Sequence, residues 1–272
     1  MPTKYVDVDG YAVNYFHAGQ TTLPPVVPDV SKGRLFFYIH GAGSNGHFAN
    51  KIVDILSAKH SPLSFDFPGH GRSSGTESLK SVTAYSDFTY AVWKALGVRP
   101  VVIIGHSMGG AIAMDLALRH ADMIEGLVLT CTAAKFDIPD DLIKTWQSVM
   151  KGRQGQPFTK VSCSPKTPQK IIQEGWMEQI KTDPRVRCFD LMACQQVDLT
   201  AQLGAITVPT LVLVGEDDAT TPVAQAEELR DNISGAQLVV IPEAGHWLPI
   251  EKSQEACDAI DTFFSQEGSH EY

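Results

Sequence analysis

Short runs that are apolar at nearly every position alternate along this chain with longer segments in which apolar side chains recur every three or four residues. The short runs predict strands at Leu35 to Ile39, Leu63 to Phe65, Val101 to Ile104, Gly126 to Cys131, Thr210 to Val214 and Gln237 to Ile241. Runs apolar along their whole length suit strands buried on both faces, as in a parallel sheet covered by helices. The longer segments predict helices around Phe48 to Lys59 and over Leu79 to Leu96, Met108 to Arg119, Val223 to Arg230 and Gln254 to Phe264. Ahead of all of them, Tyr5 to Val8 and Tyr11 to Phe16 flank Asp9-Gly10, a dipeptide that tolerates the positive φ of a tight turn, so the chain opens with an antiparallel hairpin. A Pro-rich connection follows from Thr21 to Gly33.

Between Ala134 and Gly204 the strand pattern lapses, and Pro139, Pro157, Pro165, Pro168 and Pro184 divide the stretch into several helices. The expected organisation is an α/β core from residues 1–133 and 205–272, with a mostly parallel central sheet flanked by helices, and an inserted helical cap at 134–204. At 272 residues, 43% hydrophobic and 19% charged, the chain has the size and composition of an ordinary globular protein. A net charge of −9 argues against nucleic acid or an anionic membrane as main partner, because both need a basic surface. The N-terminus has no apolar stretch of signal-peptide length, and no run elsewhere is long enough to span a bilayer; a cytoplasmic protein without stable membrane insertion is expected. Five scattered cysteines, odd in number and without a C-x-x-C pair, suit reduced thiols.

The strand at Val101 runs directly into a helix through Gly105-His106-Ser107-Met108-Gly109. A serine on so sharp a turn is strained and presents its hydroxyl at the top of the sheet, and only glycine neighbours leave room for the turn. The helix starting at Met108 aims free N–H groups at the place where an oxyanion would form. A serine hydroxyl is a poor nucleophile without an imidazole to take its proton and a carboxylate to orient that imidazole. The loops after the strands at Thr210 and Gln237 leave the same sheet edge and carry Gly215-Glu216-Asp217-Asp218 and Ala244-Gly245-His246.

With these motifs in order, the chain resembles the α/β-hydrolase fold superfamily, serine esterase type, over nearly its whole length. The resemblance implies Ser107 as nucleophile, His246 as general base and Asp218, at the family's G-x-x-D spacing, as orienting acid, with Asp217 and Glu216 as weaker candidates. His40-Gly41-Ala42-Gly43 looks like the oxyanion-hole turn and assigns the oxyanion donors to the amides of Ala42 and Met108, with His40 as an anchor of the loop. Asp66-Phe67-Pro68-Gly69-His70-Gly71-Arg72-Ser73 resembles a family scaffold loop, in which Asp66 and Arg72 are expected to form local hydrogen bonds and an ion pair. Glu251 is expected to be solvated or to cap a helix.

Trp146, Trp176 and Trp247 are candidate substrate-binding residues in or beside an apolar pocket above Ser107. The predicted cap holds ten Lys or Arg against eight Asp or Glu, a skew that fits either an anionic substrate end or solvated helix faces. No histidine or cysteine pattern has metal-ligand spacing and no phosphate-binding loop occurs, so neither metal nor cofactor is expected. The leading expectation is a carboxylesterase acting on small to medium acyl esters through an acyl-enzyme. The alternatives are an enol-lactone or C–C bond hydrolase, the latter disfavoured because family members of that type usually carry Asn where this chain has His106, and a ligand receptor on the same fold.

Overall fold

The computed structural model describes residues 3–19, 27–98, 101–158 and 162–267. Residues 21–26 of the Pro-rich connection lie outside them. Strands β1 (Thr3–Val8) and β2 (Tyr11–His17) form the predicted hairpin, with Val8 opposite Tyr11 and positive φ at Asp9 (52°) and Gly10 (81°). Six further strands follow: β3 (Leu35–Ile39), β4 (Ser61–Phe65), β5 (Val101–His106), β6 (Ile124–Thr130), β7 (Thr210–Gly215) and β8 (Gln237–Ile241). They pair with one another in parallel, β2 pairs antiparallel with β4, and the sheet order is β1-β2-β4-β3-β5-β6-β7-β8.

Side chains alternate across the sheet, and the two parities feed two separate cores. Phe37, Ile39 and Ile103 face helices α2 (Val82–Leu96), α3 (Met108–Arg119) and α7 (Val223–Asn232), while Phe36, Tyr38, Val102 and Ile104 face α1 (Asn50–Leu56) and α8 (Ser253–Glu267). Each such aromatic or aliphatic side chain, fully buried, contributes roughly 1.5–3 kcal/mol of hydrophobic stabilisation before conformational entropy is subtracted.

Local chemistry explains where element ends differ from the sequence reading. Helix α2 begins at Val82 rather than Leu79 because Ser81 caps it, its hydroxyl accepting from Ala84 N at 3.1 Å. Strand β4 extends back through Pro62, which is tolerated because β2 pairs with β4 only from Leu63 onward. The expectation of burial on both faces fails at β8: it is an edge strand, and Val240 is 40% exposed.

Between β6 and β7 stand helices α4 (Asp140–Met150), α5 (Gln169–Gln179) and α6 (Pro184–Gln196). Pro139 and Pro168 immediately precede α4 and α5, and Pro184 opens α6, positions at which a missing N–H costs nothing. An isolated bridge between Lys135 and Asp198, reinforced by their ion pair at 2.8 Å, pinches the two ends of this insertion together. All five cysteines are buried and free. No helix among the described residues is long and apolar enough to cross a membrane.

The strand order creates the place for a site. After β3 the chain moves to one side for β4, then returns to the other side of β3 for β5. The loops leaving β3 and β5 therefore diverge, and a crevice opens at their C-terminal ends, as at other switch points of parallel sheets.

Candidate active site

Strand β5 ends at His106 and α3 begins at Met108, so the whole reversal falls on Ser107, which lies at φ 55° and ψ −122°. Such a backbone costs a non-glycine residue roughly 1–3 kcal/mol and persists only where surroundings hold it. Here Ser107 N donates to Thr130 O (3.0 Å), and Ser107 O accepts from Thr132 Oγ1 (2.7 Å) and Gly110 N (2.8 Å). The close packing demands glycine on either side: a Cβ on Gly109 would sit 2.1 Å from Ile39 O, and one on Gly105 2.4 Å from Gly109 O.

The loops after β7 and β8 deliver the two partners. His246 Nε2 lies 3.0 Å from Ser107 Oγ, and His246 Nδ1 lies 2.9 Å from Asp218 Oδ2. The Nδ1 facing a carboxylate carries the proton, which leaves the Nε2 lone pair to accept the Ser107 hydroxyl. Burial alone would raise the pKa of Asp218, but the His246 ring and hydrogen bonds from the Thr221 amide and hydroxyl bring it down to about 2. Thr221 Oγ1 donates to Asp218 Oδ2 at 2.8 Å and sits 3.2 Å from His246 Nδ1, so it steadies both groups. Of the weaker candidates, Asp217 is exposed and accepts from Ser164 Oγ at 2.6 Å, Glu216 is exposed as well, and neither hydrogen-bonds His246.

The turn after β3 reaches the same point. A Cβ on Gly41 would lie 2.9 Å from Ser107 Cβ, and Ser44 N closes the turn on Gly41 O at 3.1 Å. Ala42 lines the crevice and Met108 opens α3 directly after Ser107, and neither amide donates to an acceptor among the described residues. His40 is fully buried; its Nδ1–H donates to Gly41 O (2.9 Å) and its Nε2 accepts from Phe67 N (3.3 Å), the expected anchor of the loop. Burial and the neighbouring His70 hold it neutral, with a pKa of about 3.

A family model described as serine aminopeptidase, S33 matches residues 31–253. The chain belongs to this α/β-hydrolase family. Two curated relatives of this α/β-hydrolase are the pimeloyl-[acyl-carrier protein] methyl ester esterase of Neisseria meningitidis, 28% identical over 89% of this chain and 96% of that one, and the sn-1-specific diacylglycerol lipase ABHD11 of Mus musculus, 27% identical over 91% and 83%. Among solved structures, an esterase from Exiguobacterium antarcticum superposes with a TM-score of 0.82 at 20% identity, covering 96% of this chain and 99% of its own, a likeness of fold.

Above Ser107 the hydrolase encloses a cavity of about 470 Å³, with Gly41, Ala42, Ser107 and His246 in its wall. Trp146, Trp176 and Trp247 all line it. Of the cations of the inserted stretch, Arg187 alone lies in the cavity wall among the described residues. Sequence reading passed over it, although a charged residue between the buried Val186 and Cys188 of α6 was the available signal.

Two expectations need correction. Asp66 accepts from the backbone amides of Arg72 (2.8 Å) and Gly46 (2.7 Å) and from Asn14 Nδ2 (2.9 Å), and the Arg72 guanidinium makes no ion pair among the described residues. A buried carboxylate is better satisfied here by fixed amides than by a flexible cation that must stay hydrated. Glu251 is neither free in solvent nor a helix cap: it accepts from Gly245 N (3.1 Å), Ser164 N (2.9 Å) and Thr167 Oγ1, bracing the His246 loop against the insertion. The atoms of Cys131, Asp218 and His246 lie within 4.8 Å of one another. They make a poor metal site, because burial and the Asp218 charge keep the Cys131 thiol protonated and the other two groups face each other.

Proposed function

We propose that Ser107, His246 and Asp218 are the catalytic triad of a cytoplasmic carboxylic ester hydrolase acting on small to medium acyl esters, with residues 134–204 as its cap domain. The observation that carries the reading is the continuous hydrogen-bonded line from Ser107 Oγ through the imidazole to a carboxylate held ionised near pKa 2. Ser107 Oγ attacks the ester carbonyl carbon as its proton passes to His246 Nε2, and the carbonyl oxygen becomes an oxyanion facing the Ala42 and Met108 amides. Collapse of this intermediate breaks the bond to the alkoxy group, which leaves as the alcohol with the proton from Nε2. Water, deprotonated by the same nitrogen, then attacks the acyl-enzyme and releases the acid and free Ser107. The ester-cleaving activities of the relatives support this reaction class, and the tryptophan-lined cavity supports an apolar substrate body.

The test is turnover of p-nitrophenyl acetate and butyrate by wild type and Ser107→Ala. Repeated release by wild type, lowered by roughly 10³-fold or more in the variant, is expected. Release that survives the substitution overturns the triad. A single slow turnover accompanied by a ligand-induced melting shift favours a receptor on the same fold.

A further inference from the structure

The turn that carries Ala42 is held mostly from outside the sheet. Gly43 N donates to Asp190 Oδ2 at 2.8 Å, and Gly43 O accepts from Arg187 Nη2 at 2.7 Å. The next two residues are held in the same way: Ser44 O accepts from Thr182 Oγ1 (3.2 Å), and Asn45 Nδ2 donates to Glu178 O (3.1 Å). Thus three consecutive residues of the turn are bonded to α5, α6 or the link between them. Gly43 has a φ of +61°, and the Arg187 side chain occupies the space a Cβ would need, with Nε 2.2 Å from that position. A glycine at this point has little conformational preference of its own, so an external clamp decides its geometry.

The clamp is itself buried and hydrogen-bonded. Asp190 is fully buried and also accepts from His70 Nε2 (2.8 Å), Ser78 Oγ (2.8 Å) and Tyr85 O–H. Four donors converge on it, so an acceptor-only carboxylate fits where an amide would set N–H against N–H. The two terminal nitrogens of the Arg187 guanidinium donate to fixed neutral partners, Gln179 Oε1 (2.9 Å), Gln179 O (3.2 Å) and Gly43 O, and its Cζ lies 4.9 Å from the centroid of the Trp146 ring.

We infer that Arg187 and Asp190 are positioning residues for catalysis: by gripping the N–H and C=O of Gly43 they fix the two peptide planes after Ala42, and so aim the Ala42 amide at the oxyanion. Helix α6 thereby sets the oxyanion site from the insertion, and the site is armed only while α6 is seated. This inference rests on the ester-hydrolase reading above.

Asp190→Asn, Arg187→Met, Arg187→Lys and the Asp190→Asn/Arg187→Met double variant test it in the full-length enzyme. The measurements are kcat and KM for p-nitrophenyl butyrate, affinity for a trifluoromethyl ketone that adds to Ser107 as an oxyanion, and the melting curve. Asp190→Asn and Arg187→Met are each expected to lower kcat about 10- to 100-fold with KM within about 3-fold, and to weaken the ketone by a similar factor. Arg187→Lys, which keeps a donor for Gly43 O, recovers part of the loss. The double variant is expected to be about as slow as the slower single one, because both changes release the same turn. Folded variants whose kcat and ketone affinity stay within about 2-fold of wild type, or whose only change is a raised KM, overturn the clamp. If Asp190→Asn does not fold, the two Arg187 variants decide. Wild type lacking Ser107-dependent turnover overturns the esterase reading instead, and ketone affinity then still reads the clamp.

Discussion

His106 donates from Nε2 to the backbone carbonyl of His246 at 2.7 Å, joining the residue before Ser107 to the loop that carries the His246 ring. Burial and the nearby His246 ring hold His106 at a pKa of about 3, so this ring is a neutral donor at working pH, and it stacks on Phe48 with centroids 5.7 Å apart. Removing it leaves a buried carbonyl without its donor and a cavity beside His246. His106→Ala is expected to lower kcat roughly 10-fold and stability by about 2–4 kcal/mol, read by ester turnover and urea unfolding. A folded variant with unchanged kcat would remove His106 from the positioning of His246.

The choice among the three neighbouring acids is tested by isosteric amides. Asp218→Asn reverses the bond that fixes the imidazole tautomer, so kcat is expected to fall by roughly 10³- to 10⁴-fold with little change in KM. Asp217→Asn, altering only an exposed contact to Ser164, should stay within about 3-fold of wild type by the same kinetic comparison. The opposite ranking would move the acid to Asp217.

Glu251 is a brace whose loss should be felt as stability. Glu251→Ala strands the Gly245 and Ser164 amides and is expected to cost about 1–3 kcal/mol in urea unfolding. An unfolding midpoint equal to that of wild type would return Glu251 to the solvated role expected from sequence.

Stability should also depend on pH through the buried histidines. His40 and His106 are depressed to pKa values of about 3, mainly by burial, so the unfolded chain takes up protons below about 6.5 while the folded chain does not. Stability is therefore greatest above that pH and falls, between about 6.5 and 3, by up to ~1.4 kcal/mol per pH unit for each of the two. His70 acts in the opposite sense: burial opposes its charge, but Asp190 raises its pKa, so its contribution is complete below about 6.5 and is lost as pH rises through the raised folded value. Urea unfolding at about pH 7 and about pH 5 checks the balance, and equal stabilities at the two would contradict it.

The hydrophobic pattern by itself determined the run of strands and helices, because burial periodicity and glycine-bounded turns are local properties. The spans of β3, α3 and β8 coincide with those read from the sequence, and Ser107, Asp218 and His246, which the fold brings together, could be singled out as candidates because each stands in a short motif at the C-terminal end of a strand. Only the tertiary structure decided which polar groups satisfy one another. Arg187 and Asp190 meet Gly43 across 144 and 147 residues of chain, and His106 meets His246 across 140. A buried hydrogen bond depends on where two backbones converge in space, and for partners so far apart nothing in the residues beside either one records that convergence.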